Sequence, residues 1–200
     1  MSNQNKEFET RVFQESIQVE KRDDGPAKIS GYAAVFEELS QPLGGFREII
    51  EPGAFDEADM EDVVCVKNHN VNFLLARTRS NTLSLSLDKR GFRYEFENPG
   101  NSAGNDLIIE IERGDIYGSS FMFRVADDRW EEDKEGRIIR YVKKISVVRD
   151  VGPVVFPAYQ QTEVTLRSLD AFKKQKQHPE EAYKREAEAR QRRLRLLQIN

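Results

Sequence analysis

The run Ile116-Tyr117-Gly118-Ser119-Ser120-Phe121-Met122-Phe123-Arg124 constrains this chain more than any other stretch. Bulky aromatic side chains pack well on a pleated surface, so the run reads as a β-strand. Side chains on a strand alternate between its faces. Phe121, Phe123 and Val125 therefore share one face, and Ser120, Met122 and Arg124 share the other. Ser119 falls on the aromatic face and is expected to point into the core. Ser120 is the hydroxyl presented on the opposite face. An amphipathic sheet needs a second layer over its apolar side, which sets the requirement the rest of the chain must meet.

Short strands and turns dominate what surrounds this run. Val12 to Glu20 reads as one strand, closed by the turn Asp23-Asp24-Gly25-Pro26. Ile29 to Phe36 reads as a second, with Gly31 and its alanines suited to close approach of another backbone. Phe46 to Ile50 and Val63 to Lys67 are further short strands. Thr82 to Leu87 alternates strictly, turns at Asp88-Lys89-Arg90-Gly91, and alternates again from Phe92 to Phe96, which is a hairpin pattern. Asn101 or Ser102 caps a helix over about Ala103 to Arg113, and Gly114 is its stop. Asp127 to Gly136 reads as an acidic loop, with Ile138 to Val148 returning as the hairpin partner of the Ser120 strand. The expected fold is mainly β with some α, a closed or nearly closed β-barrel with surrounding helices. Residues 1–11 are polar and expected to fray. Residues 12–167 form the domain, and 168–200 a charged linker and tail, with a helix over Glu180 to Leu197.

Two hundred residues suffice for one domain with a substantial core. The net charge of −4 is unevenly spread. Arg167 to Asn200 carries ten Lys/Arg against five Asp/Glu, which is +5 and leaves −9 on residues 1–166. An acidic body is a poor partner for nucleic acid. The single cysteine, Cys65, lies in an apolar run and is expected to be a small buried hydrophobe. Two histidines and one cysteine do not make an ordinary zinc site, and no phosphate-binding glycine loop is present, so neither metal nor cofactor is expected. No apolar run reaches membrane-spanning length, and no membrane partner is expected.

The chemistry-bearing residues are few. His69 follows a strand end, the usual position of a functional side chain on a rigid scaffold. A serine hydroxyl attacks a carbonyl when a base removes its proton, and the base works better when an acid orients it. Ser120 is the candidate nucleophile and His69 the candidate base. Asp150 closes an apolar stretch, and its own surroundings in sequence allow a simple surface pair with Arg149.

The order of motifs resembles the prohead (procapsid maturation) proteases of tailed bacteriophages, relatives of the herpesvirus assemblins. The carriers begin with Gly31-Tyr32-Ala33-Ala34-Val35-Phe36, Glu51-Pro52-Gly53-Ala54-Phe55, Asn68-His69-Asn70 and Leu75-Ala76-Arg77-Thr78. They continue with Gly91-Phe92-Arg93, Arg113-Gly114-Asp115-Ile116, Ser119 to Phe123 and Asp150 to Tyr159. The resemblance implies a seven-stranded barrel wrapped by helices, with His69 as base, Ser120 as nucleophile and Asp150 as orienting acid. It implies a serine endopeptidase that cleaves scaffolding protein, or the scaffold segment of the major capsid protein, inside the immature shell in the host cytoplasm. Self-cleavage and self-association are expected with it. Three departures stand out. Asn70 occupies the place of a usual aspartate, Met122 that of a glycine, and Asp150-Val151-Gly152 that of Glu-Val-Ser. The competing reading is a non-catalytic β-barrel binding or scaffold module of the phage particle, and convergence of His69 and Ser120 in space separates the two.

Overall fold

A computed structural model describes residues 7–14, 17–155 and 163–177. Ten strands and two helices account for most of them. One sheet holds β1 (Glu9–Phe13), β9 (Gly118–Glu132), β10 (Ile138–Val154), β5 (Val64–Val66) and β6 (Leu74–Arg77) in that order, with β4 (Arg47–Ile50) also on β10. The second sheet runs β2 (Gln18–Glu20), β3 (Lys28–Val35), β8 (Gly91–Glu97), β7 (Leu83–Leu87). Helix α1 is Ser102–Glu112. Its N-cap is Asn101, whose side chain accepts from the Gly104 N–H, and Gly114 follows it with φ 79°.

The sheets do not close into a barrel, contrary to the expectation from sequence and resemblance. Each is open, ending in β1 and β6 or in β2 and β7. The apolar faces are buried by packing instead, so closure through hydrogen bonds is not needed. Phe121 of β9 lies 5.8 Å from Phe55 and 6.4 Å from Phe92 of β8, and Phe55 stacks on Phe92 at 4.7 Å. One continuous cluster joins these rings to Ile29, Tyr94, Leu107, Phe123, Val142 and Val151.

Other boundaries also moved. The Val12–Glu20 segment is two strands in two different sheets. Part of the stretch expected to fray belongs to β1, because Glu9 and Arg11 are buried in an ionic cluster. The acidic segment after Ala126 continues β9 to Glu132, since basic residues of β10 face it. Arg140 Nε reaches Asp128 at 2.7 Å, and Lys143 reaches Asp127 at 3.4 Å. Helix α2, Glu163–Gln177, forms a separate unit that begins before the expected tail boundary and includes residues read as linker. The helix expected over Glu180 to Leu197 lies outside the described residues. Among the described residues no helix is long and apolar enough to cross a membrane.

The ionic cluster ties three strands together, β1, β4 and β10. Arg11 Nε and Nη2 donate to the two Glu48 oxygens at 2.8 and 2.9 Å, and Nη2 also reaches Glu9 at 2.7 Å. Arg140 donates to Glu9 at 2.6 and 3.0 Å and to Glu48 at 3.0 Å. Burial alone would favour neutral guanidinium groups, yet Glu48 and Glu9 outweigh it and hold both arginines above their ordinary pKa. Removing one partner strands buried charge, which costs far more than an exposed pair is worth. Arg140→Leu is expected to lower stability by about 3–5 kcal/mol, measured by urea unfolding at pH 7.

Candidate active site

His69 owes its position to an unusual piece of backbone. After β5 the chain makes a single 3-10 turn, Lys67–His69, in which Asn68 and His69 both have positive φ, 56° and 55°. Such angles are uncommon outside glycine, though Asn and His tolerate them better than most residues. The turn is held from both sides. Asn68 Oδ1 accepts from the Val155 N–H at 2.9 Å, and Asn70 Oδ1 accepts from the Asn72 N–H at 3.0 Å. Asn70 thus caps the next turn. Backbone strain of this kind persists only where its surroundings fix it, and it concentrates at functional sites.

The structure brings all three sequence-derived residues together. His69 Nδ1 lies 2.6 Å from Asp150 Oδ1, and His69 Nε2 lies 2.6 Å from Ser120 Oγ. Asp150 is buried, with Met122 of β9 on one side of it in the sheet and Val64 of β5 on the other. It faces the imidazole rather than pairing with exposed Arg149 at the surface. A buried carboxylate needs a donor, and the Nδ1–H supplies one. That choice of tautomer leaves the Nε2 lone pair facing the serine hydroxyl. Ser120 Oγ also lies 2.8 Å from the main-chain oxygen of Arg11 on β1. The hydroxyl has one proton for these two acceptors, and only its transfer to His69 makes the oxygen nucleophilic. Ser120 is fully buried, while 21% of the His69 side chain is exposed. A reacting molecule must therefore displace what covers the serine.

Ser119 is also buried, on the core side as expected. Its hydroxyl and the Tyr94 hydroxyl are 2.9 Å apart. Gly31 leaves room for this pair: a Cβ there would lie 2.8 Å from both oxygens. The space at Gly31 is thus filled by side chains, not by the backbone expected from sequence. Cys65 is buried, and burial pushes its thiol well up, with the Asp150 charge adding to it; it is no competing nucleophile.

Two contributors were missed in sequence. The Arg11 carbonyl is a main-chain group placed by strand pairing, so no side-chain motif announces it. Gly152 carries a signal that was legible, a glycine within an apolar strand. Its φ is 155°, and a Cβ there would sit 2.1 Å from the Val66 carbonyl oxygen. Glycine lets β10 run hard against the end of β5, two residues beyond Asp150 and directly before the turn carrying His69.

Residues 15–175 match the family model described as caudovirus prohead serine protease. The chain is 30% identical over 147 residues to the prohead protease of Enterobacteria phage HK97, covering 71% of this chain and 61% of that relative. It thus spans less than two thirds of the relative's length. The structure of the bacteriophage T4 capsid assembly protease aligns with 72% of this chain and 98% of that one, at 11% identity and a TM-score of 0.37.

Gly152→Ala forces the Val66 carbonyl away from β10. The overlap is with backbone, which cannot swing aside, so a loss of about 1–3 kcal/mol is expected, the usual range for overpacking. Urea unfolding of the variant beside the parent chain measures it.

Proposed function

The chain belongs to the caudovirus prohead serine protease family, and from that premise we propose that it is a serine endopeptidase acting on capsid proteins during prohead maturation. The observation that supports this best is the line of two 2.6 Å hydrogen bonds from Ser120 Oγ through the His69 ring to Asp150. In this reading His69 Nε2 takes the serine proton as Oγ attacks the scissile carbonyl carbon. The imidazolium so formed keeps its Nδ1–H on the Asp150 carboxylate, which stabilises it electrostatically. His69 then returns the proton from Nε2 to the departing amine, leaving an acyl ester on Ser120. Water resolves the ester by the same steps in the same order, with His69 again as base and then as acid.

The substrates in this reading are scaffolding protein or the scaffold segment of the major capsid protein, with the enzyme acting inside the assembling shell. Self-cleavage and self-association belong to the same proposal. A binding module without chemistry has no use for a buried carboxylate that aligns an imidazole on a hydroxyl, so the geometry favours the enzyme.

Co-expression with the cognate capsid and scaffold proteins tests the assignment on a gel. Ser120→Ala is expected to leave the substrates uncut. Ser119→Ala is expected to keep cutting them, while losing about 1–3 kcal/mol of stability because the buried Tyr94 hydroxyl loses its partner. Full processing by Ser120→Ala would overturn the nucleophile.

A further inference from the structure

We propose that the cleft lined by Val64, Val66, Val71, Leu74 and Met122 is a subsite for an apolar side chain of the substrate, close beside the scissile bond. This rests on the endopeptidase reading above and adds what the site selects. The cleft has a volume of about 400 Å³, room for a large side chain and its backbone. His69 and Asp150 form part of its wall, so it is continuous with the reacting groups.

Its distance from the chemistry follows from strand geometry. Met122 lies two residues beyond Ser120 on the same face of β9, about 7 Å along the strand. Alternate side chains of an extended peptide have the same spacing. A peptide that runs along β9 with its scissile carbonyl at Ser120 places a neighbouring side chain at Met122. Met122 supplies an apolar wall at that point.

The lining decides the chemistry of the occupant. Val71 and Leu74 are 75% and 45% exposed, large apolar surface that a bound side chain would remove from water. A basic occupant meets only acids that are already engaged: Asp150 is held by His69 Nδ1 at 2.6 Å. The carboxylate of Asp62, on the same rim, is already held by Arg77 Nε and Nη2, both at 2.6 Å, and the neighbouring Arg149 repels a cation. An acidic occupant would give up its hydration against five apolar side chains, with exposed Arg149 and an Arg77 already paired with Asp62 in return. An uncharged aliphatic or aromatic side chain fits without either cost.

The test is cleavage of a synthetic peptide library, randomised on both sides of a central segment, by the purified full chain, with the cuts read by mass spectrometry. One position within three residues of the cut is expected to be enriched in Leu, Ile, Val, Met or Phe by roughly tenfold, the lower end of what an apolar pocket discriminates. Leu74→Asp is expected to shift that same position toward Lys and Arg. Val71→Asp, at a still more exposed residue, is expected to do the same and guards against misfolding of the first variant. A preference for acidic residues, no preference at any flanking position, or a preference unchanged in both variants would each overturn the subsite. Cuts that persist in Ser120→Ala mark a different failure, that of the nucleophile, and remove the subsite with it.

Discussion

The antiparallel pairing of β9 with β10 is the constraint on which the rest of the molecule depends. It runs from Gly118 opposite Val154 to Glu132 opposite Ile138. A register is an all-or-none property, because a slip of one residue turns every side chain to the wrong face. This register sets Ser120 opposite Gly152 and Asp150 opposite Met122, so two of the three candidate site residues are fixed by a single ladder. It also puts Phe121 and Phe123 inside, where they join the shared core. The irregular pairing between Val148 and Asp150 falls directly before the acid, in keeping with bulges being used to re-aim side chains beside functional sites.

The third residue comes from elsewhere, and the cost of placing it is visible. His69 is reached through two consecutive left-handed residues, braced by Asn68 on one side and Gly152 on the other. On the far side of the serine, β1 is held down by the buried Glu9, Arg11, Glu48 and Arg140 cluster. The same Arg11 that anchors the strand through its guanidinium meets Ser120 through its carbonyl. Stability and the resting state of the hydroxyl are therefore coupled through one residue.

What was legible in the sequence was local. Period-two alternation placed Ser119 inward and gave the β7–β8 hairpin, and capping chemistry gave α1 from Asn101 to Gly114. What was not legible depended on distant partners. The barrel expectation failed because strand edges do not announce whether they will meet, and a shared apolar core satisfies the same pattern with two open sheets. Glu9 and Arg11 look like a polar terminus until Glu48 and Arg140 are brought to them. Asp128 looks like a loop residue until Arg140 faces it. The candidate site followed the same division. Ser120 could be read from its strand, and His69 from its place at a strand end. Asp150 rested on resemblance, since only the fold turns it from Arg149 toward the imidazole.

The central claim is that Asp150, His69 and Ser120 act as one unit. Single-turnover cleavage of purified capsid substrate by Asp150→Asn tests it most directly, with unfolding followed on the same sample. The amide no longer holds the Nδ1–H tautomer that leaves Nε2 free to accept. The rate is expected to fall by roughly 10⁴-fold, the scale found for the equivalent change in a serine protease triad, with a cooperative fold retained. A near-normal rate in a folded Asp150→Asn protein would contradict it.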